Sequence, residues 1–252
     1  MATLLRKLYD VLDCFSTATH TSMIKDLSRR LSTTGNNNLA TFFAKALVEN
    51  QSFNQIEQAF VPSDRSDMKG RNPVTAVLEK ASPVCVPIPE TDSYAFSFLQ
   101  RELMHLRATS LAEQPGKAWI DYVANAGDRP ILGEVKWQGD ANPFYAFIQL
   151  LTYLSEMATP NQIERARLHR LFGNSLPDKP AFDLHILLAN FNDRGKKGEL
   201  IDPTRELASA FKKQLQADHP LAATCLGRIL CLSAEIDEER LEIKEIKCNW
   251  AV

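Results

Sequence analysis

Apolar positions follow two different periods along this chain, and the change of period divides it into two parts. Up to about residue 90 they recur at threes and fours, as in "LLRKLYDVLDCF" (residues 4–15) and "LATFFAKALVEN" (residues 39–50). This spacing places one apolar stripe on a helix. The segment "SPVCVPIPE" (residues 82–90) has three prolines in nine residues, which favours an extended connector. We therefore predict a helical N-terminal region over residues 1–90 and a second domain over residues 91–252.

The second part mixes helical and strand patterns. In "SYAFSFLQRELMHLRA" (residues 93–108), apolar residues again recur at threes and fours, which predicts a helix. The segments "KAWIDYVA" (residues 117–124) and "ILGEVKW" (residues 131–137) are short and rich in β-branched and aromatic residues, and they flank "NAGDRP". Glycine, aspartate and proline are turn residues. The two segments therefore predict a β-hairpin.

A further helix is predicted directly after the hairpin. Asn142 is a natural N-cap and Pro143 occupies the first helical position of "NPFYAFIQLLTYLSEM", where proline costs nothing. Four polar residues of this helix are spaced so as to share one side: Tyr145, Gln149, Thr152 and Glu156. The remaining predicted elements are a basic helix (residues 161–173), a buried strand (181–191), a helix (204–216) and a terminal hairpin turning near Glu238. Together these elements predict an α/β (α+β) class with a mixed central sheet flanked by helices.

The predicted hairpin brings charged residues together on one face. Side chains alternate along a strand, so Glu134 and Lys136 share a face. If Ala124 pairs with Ile131 across the turn, Asp121 lies directly opposite Glu134. Two carboxylates at that separation of about 5 Å repel, and they need a cation between them or a proton on one of them. Hard oxygen ligands of this kind suit Mg²⁺.

A simpler interpretation of the same residues needs no metal. Lys136 could form an ion pair with Asp121 or with Glu134 on a solvated sheet face, as charged residues on strands commonly do. The apolar flanks of both strands and the polar side of the following helix favour a metal site. The sequence alone leaves both interpretations open.

These residues resemble the PD-(D/E)XK nuclease superfamily, which has the restriction-endonuclease-like fold. Its pattern is a helix, a hairpin bearing Asp and then Glu-x-Lys, and a helix returning to a further strand. The resemblance covers about residues 92–192 and departs from the pattern where Ile120 replaces the proline before Asp121. It implies metal binding by Asp121, Glu134 and the Val135 carbonyl, and positioning or activation of the attacking water by Lys136. It also implies site positions for Glu102 on the first helix and Gln149 on the second.

The resemblance also implies an activity and its partners. A family member would be a Mg²⁺-dependent nuclease, with Mn²⁺ as a substitute, that hydrolyses phosphodiester bonds of nucleic acid, and DNA is favoured over RNA as the expected substrate. A homodimer would allow both strands to be cut. Basic residues that could meet the phosphates are Arg165, Arg167, Arg170, Lys196, Lys197, Lys212 and Lys213. The alternative is a catalytically silent module that keeps the fold for binding or regulation, for example in a defence or toxin-neutralising system.

The composition and motifs of the chain limit its possible binding partners, its cellular location and its class of activity. Lys and Arg total 29 against 31 for Asp and Glu, a net charge of -2, so nucleic-acid binding would need a local basic patch. Five cysteines without a C-x-x-C pair favour reduced thiols and a cytoplasmic location over a disulfide framework. No apolar run reaches the ~18 residues of a membrane span. Nucleotide-binding glycine loops, a serine-hydrolase elbow and zinc-ligand histidine spacing are absent from the sequence.

Overall fold

The computed structural model describes residues 38–53, 61–62, 73–88, 94–104, 119–137, 142–174, 176–190 and 200–252. The predicted helix at residues 4–15, together with Lys196 and Lys197, lies outside these residues. The helices are α1 (Leu39–Phe53), α2 (Pro73–Ala81), α3 (Pro143–Met157), α4 (Pro160–Leu168), α5 (Ile201–Asp218) and α6 (Pro220–Ala223). The strands are β1 (Val61–Pro62), β2 (Val84–Val86), β3 (Tyr94–Met104), β4 (Trp119–Ala126), β5 (Arg129–Trp137), β6 (Phe182–Ala189), β7 (Leu226–Asp237) and β8 (Glu242–Ala251).

One mixed sheet joins the described strands in the order β1-β3-β4-β5-β6-β7-β8, and β2 pairs with β3 outside this path. The pairs β3–β4, β4–β5 and β7–β8 are antiparallel, whereas β5–β6 and β6–β7 are parallel. Parallel neighbours need a crossover. Helices α3 and α4 connect β5 to β6, and α5 and α6 connect β6 to β7. The predicted mixed α/β class is confirmed.

Helices cover both faces of this sheet. On one face, α1, α3 and α5 pack over Leu132, Leu184 and Ile186. On the other face, α2 packs with Ile131, Leu187 and other residues of the same strands. Strand β6 is buried at every position, as expected for a strand enclosed between two layers. Six of its eight residues are apolar, with only Asp183 and His185 interrupting them, which explains why the sequence predicted a buried strand correctly.

The predicted helix at residues 93–108 is wrong, because residues 94–104 form strand β3. Phe98 pairs with Ala124 and Gln100 with Val123, so Leu99 is the extra residue of a β-bulge and is 38% exposed. A bulge breaks the strict two-residue alternation of a strand. Because of the bulge, the apolar residues of this strand recur at threes and fours, as they do in a helix.

This correction moves Glu102 from a helix to a strand. It lies in β3 between Arg101, which pairs with Tyr122, and Leu103, which pairs with Ile120. Its backbone is therefore level with Asp121 on the neighbouring strand. The expected first helix of the PD-(D/E)XK pattern is replaced here by β3.

The predicted hairpin is confirmed, and its register is the expected one. Ala124 pairs with Ile131, and Tyr122 pairs with Gly133. The turn is shorter than the six residues of "NAGDRP", because Asn125 and Ala126 also pair with β5. Gly127 has a φ of 67°, a conformation that glycine adopts at no steric cost. This tight turn fixes the register at the residues that matter for the site.

The helix after the hairpin begins as expected. The Asn142 side chain accepts a hydrogen bond from the Tyr145 backbone N at 3.1 Å, and Pro143 is in the first turn. The cap satisfies one of the free N–H groups of the helix start. It thereby sets where α3 begins over the sheet and which of its residues face β5.

Replacing Gly133 with alanine would test the contact between β5 and the Tyr122 ring. An added Cβ would overlap that ring, and overpacking a filled core typically costs about 1–3 kcal/mol. We expect the free energy of unfolding, measured with urea, to fall by at least about 2 kcal/mol. The control is Gly127→Ala, where no atom lies within 4 Å of the added Cβ and only backbone strain of about 1 kcal/mol applies. Equal losses in the two variants would contradict this packing.

Candidate functional site

Strand β5 carries an ion pair that is almost completely removed from solvent. Glu134 is 3% exposed and Lys136 is 5% exposed. The Lys136 Nζ donates a hydrogen bond to Glu134 Oε1 at 2.7 Å. Buried charges occur where they are paired and hydrogen-bonded. The solvated ion pair considered from the sequence is therefore wrong in one respect, because the pair lies inside the protein.

Helix α3 completes the surroundings of this pair. The Gln149 Oε1 accepts a hydrogen bond from Lys136 Nζ at 2.6 Å, and Gln149 Nε2 donates to the Tyr153 hydroxyl at 3.3 Å. Tyr153 in turn donates to Glu134 Oε2 at 2.9 Å. Residues four apart on a helix lie one above the other. The four side chains thus form a closed ring of hydrogen bonds between β5 and α3.

Tyr145 adds a fifth contact to the ring. The Lys136 Nζ lies 4.9 Å from the centre of the Tyr145 aromatic ring. A cation at this distance is attracted by the negative face of the ring. The predicted polar side of α3 is thereby confirmed for Tyr145 and Gln149, both of which face Lys136. Thr152 instead donates to the Ile148 carbonyl of its own helix at 3.1 Å.

Asp121 lies against the backbone of the same segment. It is half-buried, and its Oδ2 accepts a hydrogen bond from the Val135 backbone N at 2.7 Å. That nitrogen belongs to the peptide bond between Glu134 and Val135. The Asp121 carboxylate therefore sits directly beside the Glu134–Val135 peptide. Strand alternation and the turn correctly predict neighbouring strand positions for Asp121 and Glu134, but they do not predict this backbone contact.

The donor set fits a hard divalent cation in its chemistry. Two carboxylates, from Asp121 and Glu134, and the Val135 carbonyl are oxygen ligands of the type that Mg²⁺ prefers. Part of their capacity is already used, because both Glu134 oxygens and one Asp121 oxygen accept protein hydrogen bonds. Across the described ranges, no three His, Cys, Asp or Glu side chains converge in a way that could hold a metal ion. Any such site would thus depend on two carboxylates and backbone or water oxygens.

A second polar cluster lies on the opposite face of the sheet. Asp183 and His185, which share one face of β6 because side chains alternate along a strand, both contact the Tyr94 hydroxyl, at 3.0 Å and 2.9 Å. The other ring nitrogen of His185, Nδ1, lies 3.1 Å from the Tyr122 hydroxyl. Asp183 also accepts from the Arg228 backbone N at 2.7 Å. All these side-chain groups are buried, so the cluster ties β3, β4, β6 and β7 together.

The direction of these hydrogen bonds follows from proton counting. The Tyr94 hydroxyl has one proton, which it donates to Asp183 Oδ2, so it must accept at His185. His185 Nε2 then carries the ring proton, and Nδ1 accepts from Tyr122. Burial lowers the pKa of His185 from 6.5 to about 3, which keeps the ring neutral. Burial, followed by the charge of Asp183, raises the pKa of Tyr94 far above its usual range.

The other residues that the sequence predicted for the site are Glu102 and the basic residues that could meet phosphates. The structure does not describe the side chain of Glu102, so its role stays a prediction. Arg167 forms an ion pair with Asp178 at 2.8 Å, and Lys212 donates to the Gly227 carbonyl at 2.8 Å. Both are therefore held by the protein's own groups. Tyr153 was not expected in the site, although its spacing of four from Gln149 was a signal that could have found it.

Comparisons with protein-family models, with curated proteins and with solved structures give no match. Among the described helices, none has the length and apolar character needed to cross a bilayer.

The neutral His185 predicts a specific dependence of stability on pH. A histidine with a depressed pKa in the folded state takes up its proton on unfolding, so the stability it contributes is lost as pH falls from about 6.5 toward 3. We expect the free energy of unfolding to fall by up to about 1.4 kcal/mol per pH unit in this window. In His185→Gln, which can still donate and accept, this slope between about pH 6.5 and 4.5 should disappear.

The control for this experiment is His169→Gln at an exposed position, which should keep the wild-type slope. The free energy of unfolding of wild type, His185→Gln and His169→Gln is measured by urea denaturation at several pH values. Identical slopes in wild type and His185→Gln would show that His185 is not held neutral by burial.

Proposed function

We propose that this protein is a divalent-metal-dependent nuclease that hydrolyses phosphodiester bonds of nucleic acid, DNA rather than RNA. The observation that carries the proposal is the buried Glu134–Lys136 pair bound to Gln149, with the Asp121 carboxylate beside the Glu134–Val135 peptide. A carboxylate pair and an amine held on adjacent strands are the groups that metal-assisted phosphodiester hydrolysis needs. The preference for DNA rests on the resemblance to PD-(D/E)XK nucleases.

The topology around these residues supports the same proposal. The hairpin β4–β5 bears Asp121 and then Glu134 and Lys136, and α3 returns over the sheet to β6, which is parallel to β5. This order matches the PD-(D/E)XK pattern from the hairpin onward. It departs from the pattern before the hairpin, where β3 takes the place of the expected helix. We therefore also propose a restriction-endonuclease-like fold for this part of the chain.

In this proposal, Asp121, Glu134 and the Val135 carbonyl would hold Mg²⁺ or Mn²⁺. Such an ion, when bound, supplies charge that lowers the pKa of an attacking water and stabilises the charge developing on the phosphate. Lys136 would orient that water or a phosphate oxygen through its ammonium protons. Gln149 holds Lys136 through its Oε1, so it would keep the ammonium beside Glu134. A two-fold dimer would present two such sites to a duplex.

Plasmid cleavage in the presence of Mg²⁺ tests this proposal. Wild-type protein should convert supercoiled plasmid to nicked or linear DNA. Glu134→Gln keeps the size of the side chain and removes its charge, and Lys136→Met keeps most of the apolar stem. Each should reduce the cleavage rate by at least about a hundred-fold, because electrostatic stabilisation contributes factors of this size.

The matched control is Lys244→Met, which removes an exposed lysine from strand β8. It should cut at the wild-type rate, and circular dichroism should show that all variants are folded. Equal cutting by wild type, Glu134→Gln and Lys136→Met would reject the site, and no cutting by wild type on DNA or RNA would reject the activity.

A second candidate function is a catalytically silent module that binds or regulates another molecule. The observation that favours it is the state of Glu134, which is 3% exposed and accepts hydrogen bonds from Lys136 and Tyr153 on its two oxygens. A carboxylate satisfied in this way contributes to structure without any metal. In such a module the ring would fix the position of α3 on the sheet.

Calorimetric titration with Mg²⁺ and Mn²⁺ distinguishes the two functions. The nuclease should bind Mn²⁺ at millimolar concentrations or below, and Glu134→Gln should abolish that heat, because a carboxylate ligand is lost. The silent module should give no binding heat up to about 10 mM of either ion. Binding that survives in both Glu134→Gln and Asp121→Asn would place the ion elsewhere in the molecule.

A further inference from the structure

Tyr153 contributes to the ring in a way that the resemblance does not assign. Its hydroxyl donates to Glu134 Oε2 at 2.9 Å, while Lys136 Nζ donates to Glu134 Oε1 at 2.7 Å. The two oxygens of one carboxylate are thus held by donors from two different elements, α3 and β5. We propose that Tyr153 is a positioning residue, whose hydroxyl fixes the orientation of the Glu134 carboxylate. The inference deepens the proposed function and rests on it where Glu134 is taken as a metal ligand.

Glutamate needs such a partner because its end rotates easily. The last side-chain torsion of glutamate has broad preferences rather than sharp staggered minima. One contact from Lys136 would hold a single oxygen and leave the plane of the carboxylate free to turn about it. A second donor on the other oxygen removes that rotation. The tyrosine hydroxyl therefore decides which way the Glu134 oxygens point.

Tyr153 is itself rigidly placed. Its side chain is 0% exposed and belongs to the core between α3 and the sheet. Gln149 Nε2 donates to the Tyr153 oxygen at 3.3 Å, so that oxygen acts as acceptor toward Gln149. The single hydroxyl proton is then directed to Glu134. A packed aromatic ring with a directed proton is a more rigid support than a flexible side chain at the surface.

This support should matter for an ion at Glu134. Groups that hydrogen-bond a metal ligand without touching the metal orient that ligand, and their loss typically costs about 10- to 100-fold in metal affinity. Tyr153 acts through Glu134 and does not touch the reacting atoms, so it is not a catalytic residue. Its replacement by phenylalanine removes the hydroxyl and keeps the ring in the core.

The test compares Tyr153→Phe with a control that loses an equivalent hydroxyl elsewhere. Tyr94 also donates from the core to a buried carboxylate, that of Asp183, on the opposite face of the sheet. Mn²⁺ titration calorimetry should show binding to Tyr153→Phe weakened by about ten-fold or more. Tyr94→Phe should bind Mn²⁺ within about two-fold of wild type, even where it lowers thermal stability equally. Wild-type affinity in Tyr153→Phe would overturn the inference.

A second measurement separates this inference from the proposed function. A crystal structure of metal-free Tyr153→Phe should show the Glu134 carboxylate turned from the position it has in the wild-type protein. If wild type binds no Mn²⁺, the proposed function fails, and this structure alone decides the role of Tyr153. A turned carboxylate would then still support the positioning role, and an unchanged carboxylate held by Lys136 would overturn it.

Discussion

The removal of Glu134 and Lys136 from water is the constraint on which the surrounding structure depends. Each ion loses hydration worth on the order of several kcal/mol when it is buried. The contact between Lys136 Nζ and Glu134 Oε1 at 2.7 Å offsets part of this cost. Gln149, Tyr153 and the Tyr145 ring supply further favourable contacts. A well-packed apolar pair of similar size is often as stable or more stable. Stability alone therefore does not explain why charge is placed here.

The two faces of β5 show why the ring can exist in the middle of the sheet. Glu134 and Lys136 point toward α3, whereas Gly133 and Val135, which alternate with them along β5, face the core on the other side of the sheet. On that side Gly133 leaves room for the Tyr122 ring, whose hydroxyl reaches His185. Two buried polar clusters thus lie on opposite faces of the same sheet. Because polar groups without partners are costly in a core, the ring specifies how α3 lies on β5, and the second cluster specifies the alignment of β3, β4, β6 and β7.

Local patterns in the sequence predicted the hairpin, its register and the start of α3. Alternation, the glycine at position 127 and the Asn142 cap are signals carried by a few neighbouring residues. The failure at β3 has an equally local cause, since the bulge at Leu99 disturbs the alternation. What the sequence could not give is the set of long-range partners. Tyr94 and His185 are 91 residues apart, and Tyr122 and His185 are 63 apart, so only the folded sheet brings them together.

The distinction between local sequence signals and long-range partners also applies within the candidate site. Glu134, Lys136 and Asp121 could be predicted together because strand alternation and a tight turn determine their relative positions. Tyr153 could not be predicted as easily, because it lies among the apolar residues of α3 and its contact depends on how the helix sits on the sheet. The packing of α1 and α5 against the same core as α3 fixes that position. Residues distant in sequence thereby decide which α3 side chains reach β5.

Formal charges explain how one buried site could serve a phosphodiester substrate in the proposed function. Asp121 and Glu134 each carry one negative charge and Lys136 carries one positive charge, which leaves one net negative charge. A divalent cation would change this to one net positive charge, and a phosphodiester, with one negative charge, would then neutralise it. Without the cation, the same residues would repel the substrate. Lys136 therefore has a role that no apolar residue could take, because without its charge the metal-loaded site would be neutral before the substrate arrived.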